Sequence, residues 1–224
     1  MVQTTIFTAT YNRSHSISQT ISSVLKQSNR DFEYWILDDG STDETEHRVR
    51  PFLVDARVKY FKLGHHGQAE TLNWGLEHCR SEYVGFVDSD DELLPDHVST
   101  LVGVLNADPS LDFVLGSFIV VSPEKKQVLR VADYFHPKKT IPVSKIECVL
   151  GILFGKRRRF LDAGGFVGDF LDIRLFDVMK KKGFKWKKVL SPTYRYFFGR
   201  FDDSLSLELT GQRGSSKQIE KRTL

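Results

Sequence analysis

The chain has 224 residues, 40% hydrophobic and 27% charged, enough to bury a core in one domain and too ordinary a composition for global disorder. Its 32 basic and 29 acidic residues leave a formal charge of +3, which excludes an electrostatic nucleic-acid binder. The two cysteines, Cys79 and Cys148, exclude a disulfide scaffold or thiolate metal site and fit a reduced compartment as buried free thiols.

The first half alternates strands and helices. Thr4–Ala9 reads as a strand, and Ile17, Ile21, Val24 and Leu25 form the apolar face of a helix that Ser14 or Ser16 is placed to cap. Glu33–Leu37 is the next strand. It ends at Asp38-Asp39-Gly40-Ser41, where Gly40 permits a tight turn and Ser41 or Thr42 is placed to cap a helix over Asp43–Leu53. Val58–Leu63, a helix over Ala69–His78, Tyr83–Val87 and a helix after Pro95 carrying Val98, Leu101, Val102 and Leu105 complete this half. The second half is less regular. Phe113–Val121 and Val128–Val131 read as strands around a turn at Pro123–Lys126, and residues 133–147 as an irregular loop. A helix from Asp172 to Lys182 ends at Gly183, and Phe184–Leu190 follows as a strand. No window approaches the ~18 apolar residues of a membrane span, and no basic leader with an apolar stretch opens the chain.

This pattern predicts an α/β fold: a mainly parallel sheet with helices on both faces, plus a smaller mixed β region in the second half. Ligands in such sheets bind beyond the carboxyl ends of the strands. Both acidic clusters, Asp38–Asp43 and Asp88–Asp91, follow strands directly and so fall on one edge. In Asp88-Ser89-Asp90-Asp91 the carboxylates repel one another unless a cation offsets them. Residues i and i+2 of an extended segment point the same way, so Asp88 and Asp90 can face one hard divalent ion such as Mg²⁺ or Mn²⁺; a solvated turn before the next helix is the plainer alternative. A carboxylate in the Asp38–Asp43 turn can accept the imide N–H of uracil. Helix capping accounts for Ser41, Thr42 and Asp43 but leaves the doubled aspartate unexplained.

Thr10-Tyr11-Asn12-Arg13, Asp38-Asp39-Gly40-Ser41-Thr42-Asp43 and Asp88-Ser89-Asp90-Asp91, in this order, resemble glycosyltransferase family 2. The helix Ile17–Gln27, the Gly67 to Asn73 segment and Gly164-Gly165-Phe166 extend the resemblance over roughly residues 3–205. It implies one GT-A domain over residues 1–210, with a nucleotide-binding half (1–100), an acceptor half (101–210) and a polar tail (211–224). It also implies inverting transfer from a nucleotide-diphosphate sugar, preferably a UDP-sugar, to a glycan, lipid-linked or other hydroxyl acceptor. Tyr11 would pack on the base, with Ala9 and Thr10 lining its pocket, and Asp39 would bond the imide. Gln68 and Ser89 would approach the nucleotide, Asp88 would reach ribose or metal, and Asp90 would hold Mn²⁺ or Mg²⁺.

Inversion by direct displacement requires a base for the acceptor hydroxyl. The family register implies Asp172, eleven residues before Gly183, with Asp169 as the rival. Leu171 and Arg174 replace acidic residues common in the family, which leaves open a non-catalytic module that binds nucleotide or glycan. A nucleotidyltransferase would carry a Gly-rich basic loop where Thr10–Ser14 stands. The interleaved Lys185, Trp186, Lys187, Lys188, Tyr194, Arg195, Tyr196, Phe197, Phe198 and Arg200 read as an amphipathic strand with a solvated basic face, as an acceptor site, or as a patch meeting an acidic membrane. The expectation is a cytoplasmic enzyme, free or peripheral to the membrane, without a nucleic-acid partner.

Overall fold

The computed structural model describes residues 3–121, 127–128, 130–132, 140–142, 149–168 and 171–197. The chain divides into two compact units, Met1–Ile119 with Ile146–Tyr196, and Val120–Lys145 with Phe197–Leu224.

The first unit holds the expected α/β sheet. Its parallel part consists of β1 (Thr4–Thr10), β2 (Glu33–Asp38), β3 (Val58–Lys62) and β4 (Tyr83–Phe86). The chain adds β5 (Glu92–Leu93), β6 (Phe113–Val121), β10 (Leu153–Lys156) and β11 (Trp186–Phe197), giving the order β3-β2-β1-β4-β10-β6-β11-β5. Strand β10 runs antiparallel to both β4 and β6, so the sheet becomes mixed beyond β4. In the second unit, Val120 and Val121 of β6 pair with β7 (Gln127–Val128), and β8 (Arg130–Ala132) lies antiparallel to β9 (Thr140–Pro142). The strand expected over Val128–Val131 is thus two short ones, and a strand falls inside the loop expected over 133–147.

Alternation along the strands builds two cores. Ile6, Tyr34 and Ile36 face one side with Ile17, Ile21 and Val24 of α1 (Ile17–Leu25) and Val98, Leu101 and Leu105 of α4 (His97–Ala107). Phe7, Trp35, Leu37 and Phe86 face the other with Leu72 and Leu76 of α3 (Gln68–His78), Phe160 of α5 (Arg157–Asp162) and Leu175, Phe176 and Met179 of α6 (Leu171–Lys181). Cys79 is buried in this second core; Cys148 lies outside the described residues.

Three local expectations are corrected. The helix expected over Asp43–Leu53 is α2 (Thr45–Val49) followed by a 3₁₀ turn at Arg50–Val54. Pro51 lacks the N–H that an α-helix would use there, and its ring opposes continuation. Neither serine caps α1: Ser16 occupies the N-cap position without a side-chain bond, and its buried hydroxyl has no hydrogen-bond partner among the described residues. The strand expected over Phe184–Leu190 starts at Trp186 and runs to Phe197, because β5 and β6 flank it.

His97, 1% exposed at the start of α4, ties that helix to β11: its Nδ1 lies 3.1 Å from both the carbonyl oxygen and Oγ1 of Thr193. Burial pushes its pKa down to about 4, against the upward pull of the Thr193 carbonyl. An unfolded histidine binds a proton near pH 6.5, so the unfolded chain gains protons first as pH falls. The stability tied to neutral His97 is complete above pH ~6.5 and lost toward pH ~4, at roughly 1.4 kcal/mol per unit. Urea unfolding at pH 7 and pH 5 should show wild type losing about 2 kcal/mol more than His97→Gln over that interval. Equal losses in the two proteins would remove His97 as the cause.

Candidate active site

The carboxyl ends of β1, β2 and β4 meet at one edge. Asp39 N–H donates to Thr10 O at 2.8 Å and Val87 N–H to Phe7 O at 2.9 Å, so the two acidic segments flank the end of β1. The expected common edge is therefore built.

The segment after β1 is stitched to the turn after β2. Asn12 adopts φ 51°, the left-handed region, and is the only non-glycine there among the described residues. That conformation turns its Oδ1 onto Thr42 N–H (2.9 Å) and Asp43 N–H (3.3 Å), while its own N–H donates to Ser41 Oγ (2.9 Å). Arg13 N–H donates to Thr45 Oγ1 at 2.8 Å and Ser14 N–H to Asp43 Oδ2 at 3.1 Å. Ser41 and Thr42 thus serve this junction and do not cap α2, whose N-cap position is Glu44. Tyr11, between these contacts, is 39% exposed and faces outward, unlike a core aromatic.

The doubled aspartate now has two separate explanations. Asp38, fully buried, accepts from Ser41 N–H at 2.7 Å and from the Tyr60 hydroxyl, closing its own turn. Asp39, 3% exposed, holds the loop before α3. Its Oδ1 accepts from His66 N–H (2.8 Å) and Thr71 Oγ1–H (2.9 Å), and its Oδ2 accepts from Gly67 N–H (3.0 Å) and lies 3.0 Å from His65 Nδ1. A carboxylate offers about four acceptor positions, so these donors fill Asp39. Gly40, at φ +82°, lets the loop approach; a Cβ there would stand 3.2 Å from His65 N.

On the β4 side, Asp88 is partly exposed and receives Gln68 Nε2–H at 3.4 Å from the first turn of α3. Its carboxyl is held well above the ordinary range, first by burial, then by the charges of Asp90 and Asp172. Asp172 stands in the first turn of α6, and its charge acts on Asp88. Burial also raises the Asp172 carboxyl, against hydrogen bonds from the backbone of Ile173, its own residue and Leu150. Asp169, the rival base, lies outside the described residues. Among the described residues no three His, Cys, Asp or Glu side chains close on one ion-sized point. The donor set still fits a hard cation, since Mg²⁺-type sites use one or two carboxylates and complete their shell with water and substrate phosphates.

Residues 5–176 match the family model described as Glycosyl transferase family 2. The chain belongs to this family. Over 118 residues it is 30% identical to a UDP-Glc:alpha-D-GlcNAc-diphosphoundecaprenol beta-1,3-glucosyltransferase of Escherichia coli, covering 52% of this chain and 46% of that protein. Over 88 residues it is 38% identical to an uncharacterized glycosyltransferase of Rickettsia conorii, covering 39% of this chain and 15% of the relative. The chain thus spans under half the length of these curated relatives. Among solved structures, S. aureus TarS 1-349 in complex with UDP-GlcNAc superposes with a TM-score of 0.68 at 18% identity, over 87% of this chain and 58% of that one. A mannosyltransferase from Pyrobaculum calidifontis in complex with GDP-Man and Mn²⁺ gives 0.65 at 24% identity, over 86% and 56%. The sheet described above is therefore the GT-A fold of family 2.

Within that family frame, two links escaped sequence reading. Asn73 Nδ2–H donates to Phe166 O at 2.9 Å and its Oδ1 accepts from Phe166 N–H at 2.8 Å, clamping the segment that leads to α6. A Cβ on Gly165 would stand 2.4 Å from Asn73 Oδ1, so the glycine makes room for the clamp. Tyr194, fully buried, donates its hydroxyl to Asp91 Oδ2 at 2.7 Å and accepts from Asp88 N–H at 3.3 Å. Only its place among interleaved aromatics was visible in sequence; its partners are 103 and 106 residues away. Lys185, Trp186 and Lys187 are exposed, in keeping with a solvated basic face, while Phe198 and Arg200 lie outside the described residues.

The Asn12 junction makes a direct prediction. Asn12→Gly keeps the left-handed backbone and loses the side-chain bonds, whereas Asn12→Ala loses both. Urea titration should place Asn12→Ala about 1 kcal/mol below Asn12→Gly, the cost of a left-handed alanine. Equal stability, or a more stable alanine variant, would mean that the junction relaxes out of this conformation.

Proposed function

We propose that the chain is the catalytic domain of an inverting glycosyltransferase that takes a sugar from a UDP-type donor to a hydroxyl acceptor. The observation that carries this reading is the place of Asp88 and Asp90 just past β4, where the charges of Asp90 and Asp172 raise the Asp88 carboxyl, at the same sheet edge as the junction that presents Tyr11. The family membership and the donors named for several relatives support it.

In this reading Tyr11 packs on the base, Ala9 and Thr10 line its pocket, and Gln68 and Ser89 stand near the nucleotide. Asp88 and Asp90 would hold Mn²⁺ or Mg²⁺, which when bound offsets negative charge on the departing diphosphate. Asp172 takes the proton from the acceptor hydroxyl as its oxygen attacks the anomeric carbon opposite the leaving group. Its raised pKa suits that role, since a more basic carboxylate removes a hydroxyl proton more readily. The backbone groups of Ile173 and Leu150 hold its side chain in place. A glycan or lipid-linked hydroxyl is the acceptor class; the E. coli relative named above acts on a diphosphoundecaprenol-linked one. No helix among the described residues is long and apolar enough to cross a membrane, so the proposed lipid-linked acceptor would be met at a membrane surface.

Calorimetric titration of UDP, GDP and dTDP with and without Mn²⁺ tests the donor site. Binding of one nucleotide should require the metal and disappear in Asp90→Ala. Asp172→Asn should bind that nucleotide normally while turnover of the matching donor falls about 10²- to 10⁴-fold, the range for losing a general base. Full turnover in Asp172→Asn would reassign the base, and absence of any nucleotide binding would leave the family fold without its donor.

A further inference from the structure

The loop between β3 and α3 places an aromatic ring on the aromatic ring of Tyr11. The imidazole of His65 stacks on Tyr11 with centroids 4.2 Å apart and planes 23° from parallel. Its Nδ1 lies 3.0 Å from the Asp39 carboxylate and 3.1 Å from the Asp39 backbone oxygen. Both neighbours are acceptors, so Nδ1 carries the hydrogen and donates it. One flat ring therefore makes a π-stack on Tyr11 and an N–H bond to Asp39. Those are the two contacts that the family resemblance implies, through Tyr11 and Asp39, for a pyrimidine base with an imide N–H.

Two further facts make this a seat and not a crowded core. The His65 side chain is 60% exposed, so its departure gives up only the Tyr11 stack and the Nδ1–H bonds and opens no core. Asp39 keeps His66 N–H, Gly67 N–H and Thr71 Oγ1–H when His65 leaves, so the loop stays anchored while one acceptor position opens.

We propose that His65 occupies the base seat of the free protein, and that an imide-bearing nucleotide binds by exchanging its base for the imidazole. This rests on the donor reading above and adds a residue that sets donor affinity. A base that stacks on Tyr11 but offers Asp39 no ring N–H replaces only half of what His65 supplies, so the exchange also selects among bases.

The test compares UDP with inorganic pyrophosphate, which lacks a base, by calorimetry in the presence of Mn²⁺ on wild type, His65→Ala and Tyr11→Ala. His65→Ala should bind UDP about three- to ten-fold more tightly, the size of a lost aromatic pair, and pyrophosphate unchanged. Tyr11→Ala should weaken UDP only. In ¹³C-histidine-labelled wild type, the His65 ring resonance should lose its Tyr11 ring-current shift on addition of UDP and stay in place with pyrophosphate. Unchanged or weaker UDP binding in His65→Ala, with Tyr11→Ala still defective, would overturn the exchange and leave the donor site standing. Equal tightening for both ligands would also overturn it, as a general loosening of the loop. No UDP binding by any of the three proteins would overturn both readings.

Discussion

Repulsion among carboxylates at one edge of the sheet is the term that the rest of the first unit accommodates. The parallel register brings Asp38, Asp39 and the Asp88–Asp91 segment to the ends of neighbouring strands, and α6 adds Asp172. Like charges at such spacing raise one another's pKa unless donors compensate. Most of them are compensated by donors from elsewhere in the chain. Asp38 takes Ser41 N–H and Tyr60, Asp39 takes the loop before α3, and Asp91 takes Tyr194. The carboxyls of Asp88 and Asp172 remain displaced upward after their hydrogen bonds are made. In the proposed function these raised carboxyls, and not the number of acidic residues, mark where a cation and a proton transfer would belong.

Stability and site are coupled through the same contacts. Tyr194 belongs to the core that contains Ile152 and Phe154, yet its hydroxyl reaches the acidic segment. A Cβ on Gly151 would fall 2.0 Å from the Tyr194 ring, so that glycine is what allows the ring to lie there. Thr193, one residue earlier, receives His97 from α4. Strand β11 thus carries the Asp88–Asp91 turn on one residue and a helix on the next. A large apolar residue placed in the core holds the charged loop more firmly than a surface ion pair would, because side-chain entropy is already lost on packing.

Much of this was legible from local pattern. Strands β1 to β4 and helices α1, α3, α4 and α6 follow from alternation, 3.6-residue periodicity and the breakers Gly40, Pro95 and Gly183. The expectations for Asp88, Asp90 and Asp172 came from motifs that are contiguous or in fixed register with a glycine. What escaped has one physical character: it depends on partners far away in sequence. Strands β5 and β10 are two and four residues long and exist because longer strands flank them. Ser41 and Thr42 look like helix caps, yet the Asn12 turn 29 to 30 residues upstream takes the Ser41 hydroxyl and the Thr42 N–H, and bonds between two loops win over a local one. The saturation of Asp39 is of the same kind, since its donors lie 26 to 32 residues on.

That saturation changes what recognition means at this edge. A pocket with a bare carboxylate would pay the cost of burying an unpaired charge while empty, so a buried acceptor awaiting a ligand must be satisfied by something in the meantime. Water is the usual substitute; here an imidazole N–H does it, together with an aromatic face for Tyr11. Binding is then an exchange of near-equals: the hydrogen bond to Asp39 contributes little net affinity, because one of similar strength is given up. Discrimination survives the exchange even though affinity does not. A ligand that cannot return the N–H leaves Asp39 short of a donor, which costs more than a matched bond gains. In the proposed reading, tight holding of the donor comes from the diphosphate end, where Asp88 and Asp90 would hold a cation. The base end, already filled by the protein's own histidine, is suited to choosing.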